Sequence, residues 1–525
     1  MNAVSSQKNP AGREKRAPMP HLPSPLMLGL AACLLLLCAG SGWVKQEGSQ
    51  DLERASANQA KISKRLQARI LSLGDAEKSI PVWIYFRDKG ISSEIQSRKR
   101  KEEVKQGLRV RCLWRRGKVR SQDDLVENFD LPLYPLYVER IVPRVKKVRA
   151  VSRWLNAVSA QVTAAQILSL ENLDFIRKLD LVMSFQRTES SLMAEEKWER
   201  DTPKNSSLDY GPSYDQLDQM NVIPLHEHGY AGEDVVVCLL DTGFRKTHEI
   251  FRQARIIAEW DFVNGDDDVT QDFTDPEDYS DSHGTGTWSA CGGYKPGELI
   301  GPAYKASFIL GKTETTLVEE PVEEDYWVAG LEWAESLGVE VISSSLGYTD
   351  WYTFQDMDGQ TAVTTLAANL ATSLGVVVVN AAGNERAGSW GHVIAPADGF
   401  DVIAVGAVDQ TGRLAPFSSP GPTFDGRIKP DVCARGLDTW IAGNSPEGFD
   451  VFQRGSGTSF ATPLIAGAAA LLLEIHRDWT PKQVRDALTK SAERSFKPDN
   501  DYGWGVIDAE LAASWDQKKG KKSPR

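Results

Sequence analysis

The sequence predicts an α/β fold with a mostly parallel central sheet flanked by helices, preceded by a smaller α/β domain. Three observations carry this. Val235 to Leu240 and Gly375 to Val379 are nearly continuous apolar runs, with shorter ones at 339–342 and 402–405, as expected of strands buried on both faces. Helical segments at Tyr326 to Leu337 and Ala362 to Leu374 alternate with them, which favours a parallel sheet whose ligands sit beyond the strands' carboxyl ends. Upstream, a separate strand-helix-strand pattern is set off by a polar stretch at 187–210.

At 525 residues the chain exceeds the roughly 250 to 300 that one core usually supports, so two folded domains are expected. Lys8, Arg13, Lys15 and Arg16 precede an apolar run from Leu26 to Ala39 and then Gly40-Ser41-Gly42, the basic, apolar and small order of a secretory signal over 1–42. The run falls short of the roughly 20 residues that span a bilayer. Export to an extracellular or periplasmic location is therefore expected over a retained anchor. Leu35-Leu36-Leu37 before Cys38 lacks the small residues of a lipidation signal. Residues 43–195 form the first domain with its lead-in, 196–208 a linker, 209–515 the second domain and 516–525 a polar tail.

Within the first domain, Pro81 to Phe86 is dense in β-branched and aromatic residues and reads as a strand, followed by the turn Asp88-Lys89-Gly90. Residues 91–106 suit a highly charged helix. Val145 to Val162 reads as a strand with a turn, Thr163 caps a helix through Ile167 and Leu170, and Leu181 to Phe185 closes the unit as a strand. Near the other end, Thr480, Pro481 and Gln483 together mark the start of a helix that buttresses the second domain.

A net charge of −12 argues against a nonspecific nucleic-acid binder, which needs a concentrated basic surface. Cys112, Cys238, Cys291 and Cys433 are too sparse for a disulfide framework or metal cluster and read as small buried side chains.

Candidate chemistry lies at the ends of the predicted strands. Asp241-Thr242-Gly243 follows the first strong strand, where a carboxylate can orient an imidazole and the glycine lets the chain turn. Alone, such a run also occurs in ordinary turns. His283-Gly284-Thr285 leads into a helix, at whose start an imidazole can face an open crevice while the glycine permits close substrate approach. Ser459 lies in Gly455-Ser456-Gly457-Thr458-Ser459-Phe460-Ala461-Thr462-Pro463 before an apolar helix, whose N-terminal field favours developing negative charge. An N-cap serine would explain the hydroxyl but not the sequence around it. Asn384 follows Ala381-Ala382-Gly383 after the valine-rich strand, and its amide could donate to an oxyanion.

Jointly, in the order Asp, His, Asn, Ser, these motifs closely resemble the subtilisin-like serine peptidases over about residues 205–515. The resemblance also takes in Ser345-Leu346-Gly347, Lys429-Pro430-Asp431-Val432 and Tyr502-Gly503-Trp504-Gly505. It implies a subtilisin-like fold and a secreted serine endopeptidase with Asp241, His283 and Ser459 as catalytic residues and Asn384 at the oxyanion. Ser345, Leu346, Gly347 and Gly383 would bind an extended protein or peptide substrate. Tyr348 replaces the glycine common after that edge motif, which would narrow the neighbouring pocket, and Glu385 would influence charged side chains. The first domain, with Leu155-Asn156-Ala157-Val158-Ser159-Ala160, resembles the inhibitory pro-domains of such enzymes, which assist folding and occupy the cleft until cleavage, here within about 187–210. A monomer is expected, and the chemistry requires no cofactor. The competing function is a secreted peptide-binding scaffold without turnover.

Two further motifs are weaker. Gly311-Lys312-Thr313 suggests a phosphate loop, but the glycine required five positions before Gly311 is Ala306, so a surface turn is expected. Asp266-Asp267-Asp268 with Asp275, Asp278 and Asp281 would suit structural calcium, which the family often binds; the spacing is not that of an EF-hand, and an acidic exposed loop is the simpler expectation.

Overall fold

A computed structural model describes residues 61–73, 75, 77–185, 192–193, 206–270, 281–314, 322–445 and 448–515. The expected signal sequence, the 516–525 tail and most of the 196–208 linker lie outside these residues. Residues from Ala60 onward form one compact unit, in which the described residues of the first and second domains each form a hydrophobic core of their own.

The first core belongs to an antiparallel sheet. Helix α1 (Lys64–Ser72) is capped by Ser63, and strand β1 (Ile80–Phe86) is central to the sheet. Two helices follow, α2 (Glu94–Gly107), which buries no side chain, and α3 (Val110–Arg116), which buries three. Strands β2 (Lys147–Ser152) and β3 (Ala157–Val162) make the expected hairpin, with Asn156 in the left-handed region at φ 53°. Thr163 caps α4 (Ala164–Glu171) through a reciprocal Thr163–Gln166 box. The closing strand β4 is Ile176–Leu181, earlier than expected, because Arg177 and Lys178 point to solvent and disguise its apolar positions. The sheet order is β2-β3-β1-β4.

Beyond β4 the chain runs onto the second domain. Strand β5 (Ser184–Phe185) pairs with β10 (Val322–Glu323), and β6 (Leu192–Met193) pairs with Arg454–Gly455 of β16 (Gly448–Gly455), which forms a hairpin with β15 (Thr439–Ser445) and ends four residues before Ser459. The second domain is built on a seven-stranded, wholly parallel sheet. Its strands are β7 (Val236–Asp241), β8 (Arg255–Asp261), β9 (Ser307–Lys312), β11 (Val341–Ser344), β12 (Val377–Ala381), β13 (Ile403–Val408) and β14 (Val432–Arg435). Their order, β14-β13-β12-β11-β7-β9-β8, is that of a doubly wound sheet. Helices α5 (Asp281–Gly292), α6 (Glu324–Ser336), α7 (Val363–Ser373) and α8 (Thr458–Ile475) cover it. Among the described residues only α8 is long and apolar enough to span a bilayer, and it is buried in this core. Thr480 caps α9 (Pro481–Ser491) as the sequence suggests.

Two expectations change. Gly311-Lys312-Thr313 is not a surface turn; it ends the buried strand β9, where Lys312 is tolerated because it pairs with Asp261 at 3.0 Å. Asp281 belongs to no open acidic loop, since it is buried in α5 and paired with Arg245 at 3.2 Å. Asp275 and Asp278 lie outside the described residues, among which no group of three metal-ligating side chains is gathered. Cys112, Cys238, Cys291 and Cys433 are free and buried, as expected.

The two domains meet through buried charge. Helix α6 carries Glu324, Asp325, Glu332 and Glu335, all buried. Glu324 accepts from Trp83 Nε1 at 3.0 Å and Tyr352 Oη at 2.7 Å, and burial pushes its carboxyl up to about 7 against those bonds. Asp325 pairs with Arg149 at 2.9 Å, and Glu332 accepts from the Ser152 hydroxyl and the N–H groups of Arg153 and Trp154. Glu335 lies at the C-terminal turn, the end of the helix dipole that disfavours a negative charge. It is held by Arg115 and Arg116 of α3, both fully buried.

Candidate active site

Each predicted residue falls at the carboxyl end of a strand or in the first turn of a helix that starts there. Asp241 is the last residue of β7, His283 the third of α5 and Ser459 the second of α8. Asn384 follows β12 by three residues, and Ser345 follows β11 directly. Helices α5 and α8 pack on each other, and α8 runs beneath β11, β12 and β13, so the sheet edge and both helix starts converge.

The His283 Nδ1 and Asp241 Oδ1 atoms are hydrogen-bonded at 2.6 Å, and both side chains are buried. The carboxylate is fixed from two further sides: Thr242 N–H donates to Oδ1 at 2.8 Å, and the Thr287 hydroxyl donates to Oδ2 at 2.9 Å. Such closeness needs glycine at 284, where a Cβ would lie 2.0 Å from Gly243 O. The His283 ring lies 5.4 Å, centroid to centroid, from Phe460, the residue after Ser459. Ser459 itself is buried, and its carbonyl accepts the Ser345 hydroxyl at 2.7 Å, tying the helix start to the β11 edge.

Asn384 is oriented by Thr458. Its Oδ1 accepts from the Thr458 N–H at 2.9 Å and hydroxyl at 3.0 Å, which leaves Nδ2 as the end turned away from Thr458. Gly383, at φ +108°, donates its N–H to the Thr458 hydroxyl at 3.3 Å, and a Cβ there would meet Ser419 Oγ at 2.8 Å. Tyr348 is fully buried; its N–H bonds Ala395 O at 3.0 Å and its hydroxyl reaches Glu314 at 3.4 Å. The Glu385 N–H donates to Ser419 Oγ at 2.9 Å.

Sequence reasoning missed Thr287 and Thr458 as positioning residues. Thr287 is four residues after His283 in α5, a spacing that puts both on one face and could have identified it. The role of Thr458 depends on the approach of Asn384 from 74 residues away, which no local pattern encodes. Buried carboxylate, imidazole, hydroxyl and amide gathered at one sheet end suit nucleophilic acyl transfer, a reaction that needs a nucleophile, a base and a donor for the oxyanion.

The subtilase family model (peptidase S8) matches residues 232–505, and that of a peptidase S8 propeptide domain of Bacteroidota matches residues 81–198. Subtilisin E of Bacillus subtilis (strain 168) is 34% identical over 316 residues, covering 58% of this chain and 71% of that protein. The subtilisin of Bacillus pumilus is also 34% identical over 316 residues, covering 58% of this chain and 99% of that protein. Fervidolysin from Fervidobacterium pennivorans, a keratinolytic enzyme related to subtilisin, superposes with a TM-score of 0.59 at 22% identity, over 84% of this chain and 61% of its own, a likeness of fold. The chain belongs to the subtilase family: it is a subtilisin-like serine endopeptidase preceded by a propeptide domain.

Proposed function

We propose that the enzyme hydrolyses extended peptide segments through an acyl-enzyme on Ser459, with His283 as base and Asp241 as its orienting carboxylate. The Asp241–His283 hydrogen bond at 2.6 Å, beside the start of α8, is the observation that carries this. His283 takes the Ser459 proton as Oγ attacks the substrate carbonyl, then returns it to the leaving amine; water, activated by the same imidazole, releases the acyl group. Asp241 stabilises the imidazolium. Asn384 Nδ2 and a backbone N–H at the start of α8 stabilise the oxyanion. The substrate backbone lies as an added strand against Ser345, Leu346 and Gly347, with Gly383 on the other side. A serine-directed fluorophosphonate labels the wild type and not Ser459→Ala; labelling that persists elsewhere would remove Ser459 from this role.

Because Thr458 holds the carbonyl of Asn384, the amide is set before substrate arrives. Asn384→Ala therefore lowers kcat by about 10²–10³-fold with little change in KM. Steady-state kinetics check this, and an effect confined to KM would refute the oxyanion role.

The first domain restrains the precursor. The chain on either side of 186–191 is hydrogen-bonded to the peptidase domain, through β5 to β10 and β6 to β16. Cleavage within about 187–210 then separates the two domains, and N-terminal sequencing of the processed enzyme locates the cut.

A further inference from the structure

The space between Gly347 and Gly383 is closed by one side chain. A Cβ built on Gly347 would lie 2.1 Å from Ile394 Cδ1 and 2.5 Å from Cγ1; one built on Gly383 would lie 3.0 Å from Cγ2 and 3.1 Å from Cδ1. The same Ile394 branch therefore abuts both backbone segments. Ile394 is only 4% exposed.

Its backbone is held on both sides. The Ile394 N–H donates to Ala382 O at 3.1 Å, and its carbonyl accepts from Ala397 N–H at 2.8 Å. Flanking it, Val393 N–H donates to Pro420 O at 3.0 Å, while Ala395 O accepts from Tyr348 N–H at 3.0 Å. Tyr348 is buried with its hydroxyl at Glu314, so the β11 edge and the 393–397 segment are fastened together. Retracting Ile394 would mean breaking these bonds, and its side chain is fixed in a close-packed surrounding.

The mechanism above sets the attacked carbonyl between Ser459 and Asn384, with the preceding backbone along Ser345 to Gly347. The side chain of the residue that supplies that carbonyl then enters between Gly347 and Gly383. We propose that Ile394 forms the floor of this pocket and restricts the residue before the scissile bond to small side chains, glycine, alanine or serine. This inference rests on the proposed peptidase mechanism. Tyr348, which the sequence suggests as the narrowing residue, acts by clamping the segment that carries Ile394.

The test uses the self-processed full-length enzyme and peptides that differ only in the residue before the scissile bond: Gly, Ala, Leu or Phe. Alanine should exceed phenylalanine in kcat/KM by about tenfold or more, the scale on which a pocket rejects added methylenes. Ile394→Gly should raise the phenylalanine-to-alanine ratio of kcat/KM by about tenfold or more. Ile394→Val, which removes one methyl and keeps the branch, should move the ratio the same way by less, and serves if the glycine variant does not fold. A wild-type preference for Leu or Phe, or a ratio unmoved by both variants, overturns the pocket assignment alone. No turnover of any peptide, with no fluorophosphonate labelling at Ser459, overturns the mechanism and the pocket with it.

Discussion

Asp241→Ala lowers kcat by about 10⁴-fold with KM nearly unchanged. The carboxylate does two separable things. It accepts His283 Nδ1, which fixes the ring and its tautomer, and it supplies the charge that stabilises the imidazolium. Alanine removes both, while the Ser345 to Gly347 edge is untouched. Asp241→Asn separates them in this particular site. An asparagine can keep its oxygen toward His283 and the Thr242 N–H, and turn its NH2 toward Thr287 Oγ1. The Thr287 hydroxyl, which already lies 3.1 Å from Gly284 O, then donates there. Orientation is retained and charge is lost. A loss in Asp241→Asn equal to that in Asp241→Ala assigns the effect to charge; a markedly smaller loss assigns it to orientation. Full activity of Asp241→Ala in peptide hydrolysis would exclude Asp241 from the mechanism.

These outcomes concern residues that the sequence makes visible, and the reason is physical. Strands buried on both faces are written as apolar runs, so β7 and β12 stand out, and polar residues just beyond them are conspicuous. The half-exposed edge strand β8 has no such run and was not anticipated. Strand β9 was hidden because its end, Gly311-Lys312-Thr313, imitates a loop until Asp261 is seen to neutralise Lys312. Asp241, His283, Asn384 and Ser459 were legible one by one. What fixes them was less so: Thr458 meets Asn384, and Ile394 fills the gap between Gly347 and Gly383, only through the register of distant segments. Least legible was the domain contact. Arg115 and Arg116 sit in a charged stretch with no apolar run to mark it as buried, yet both are buried on Glu335, 220 and 219 residues away.

That contact sets how firmly the propeptide domain is retained. Arg116 donates Nε to Glu335 Oε1 and Nη2 to Oε2, each at 2.8 Å, and bonds Asp130 Oδ1 and Oδ2 at 2.8 and 3.0 Å. Arg115 adds a bond to Glu335 and caps the carbonyls of Leu374 and Val339 at 3.1 and 2.5 Å. Arg116→Ala takes from buried Asp130 its arginine and from Glu335 one of the arginines that hold it, and breaking a buried pair from one side costs about 3–5 kcal/mol. Retention of the cleaved propeptide domain should fall by about 10²–10⁴-fold, read as its co-elution with the peptidase domain. Combining Arg116→Met with Asp130→Asn removes the unpaired carboxylate and leaves Glu335 with Arg115, and should recover part of the loss; no recovery would show that the packing of α3, not its charge, holds the domain. Acid provides an independent measure. Burial pushes the Glu335 carboxyl up, but Arg115 and Arg116 outweigh it and hold the group near 2 against its ordinary 4.5. Its contribution is therefore fully present above about pH 4.5 and is lost as pH falls toward 2. Asp130, Arg153, Cys112 and the Glu332 carboxyl, which burial raises, face the same region, so retention in the wild type reports all of them together. Subtracting the pH curve of Glu335→Gln isolates Glu335, and a difference that does not diminish between pH 4.5 and 2 would mean that the two arginines do not hold its charge.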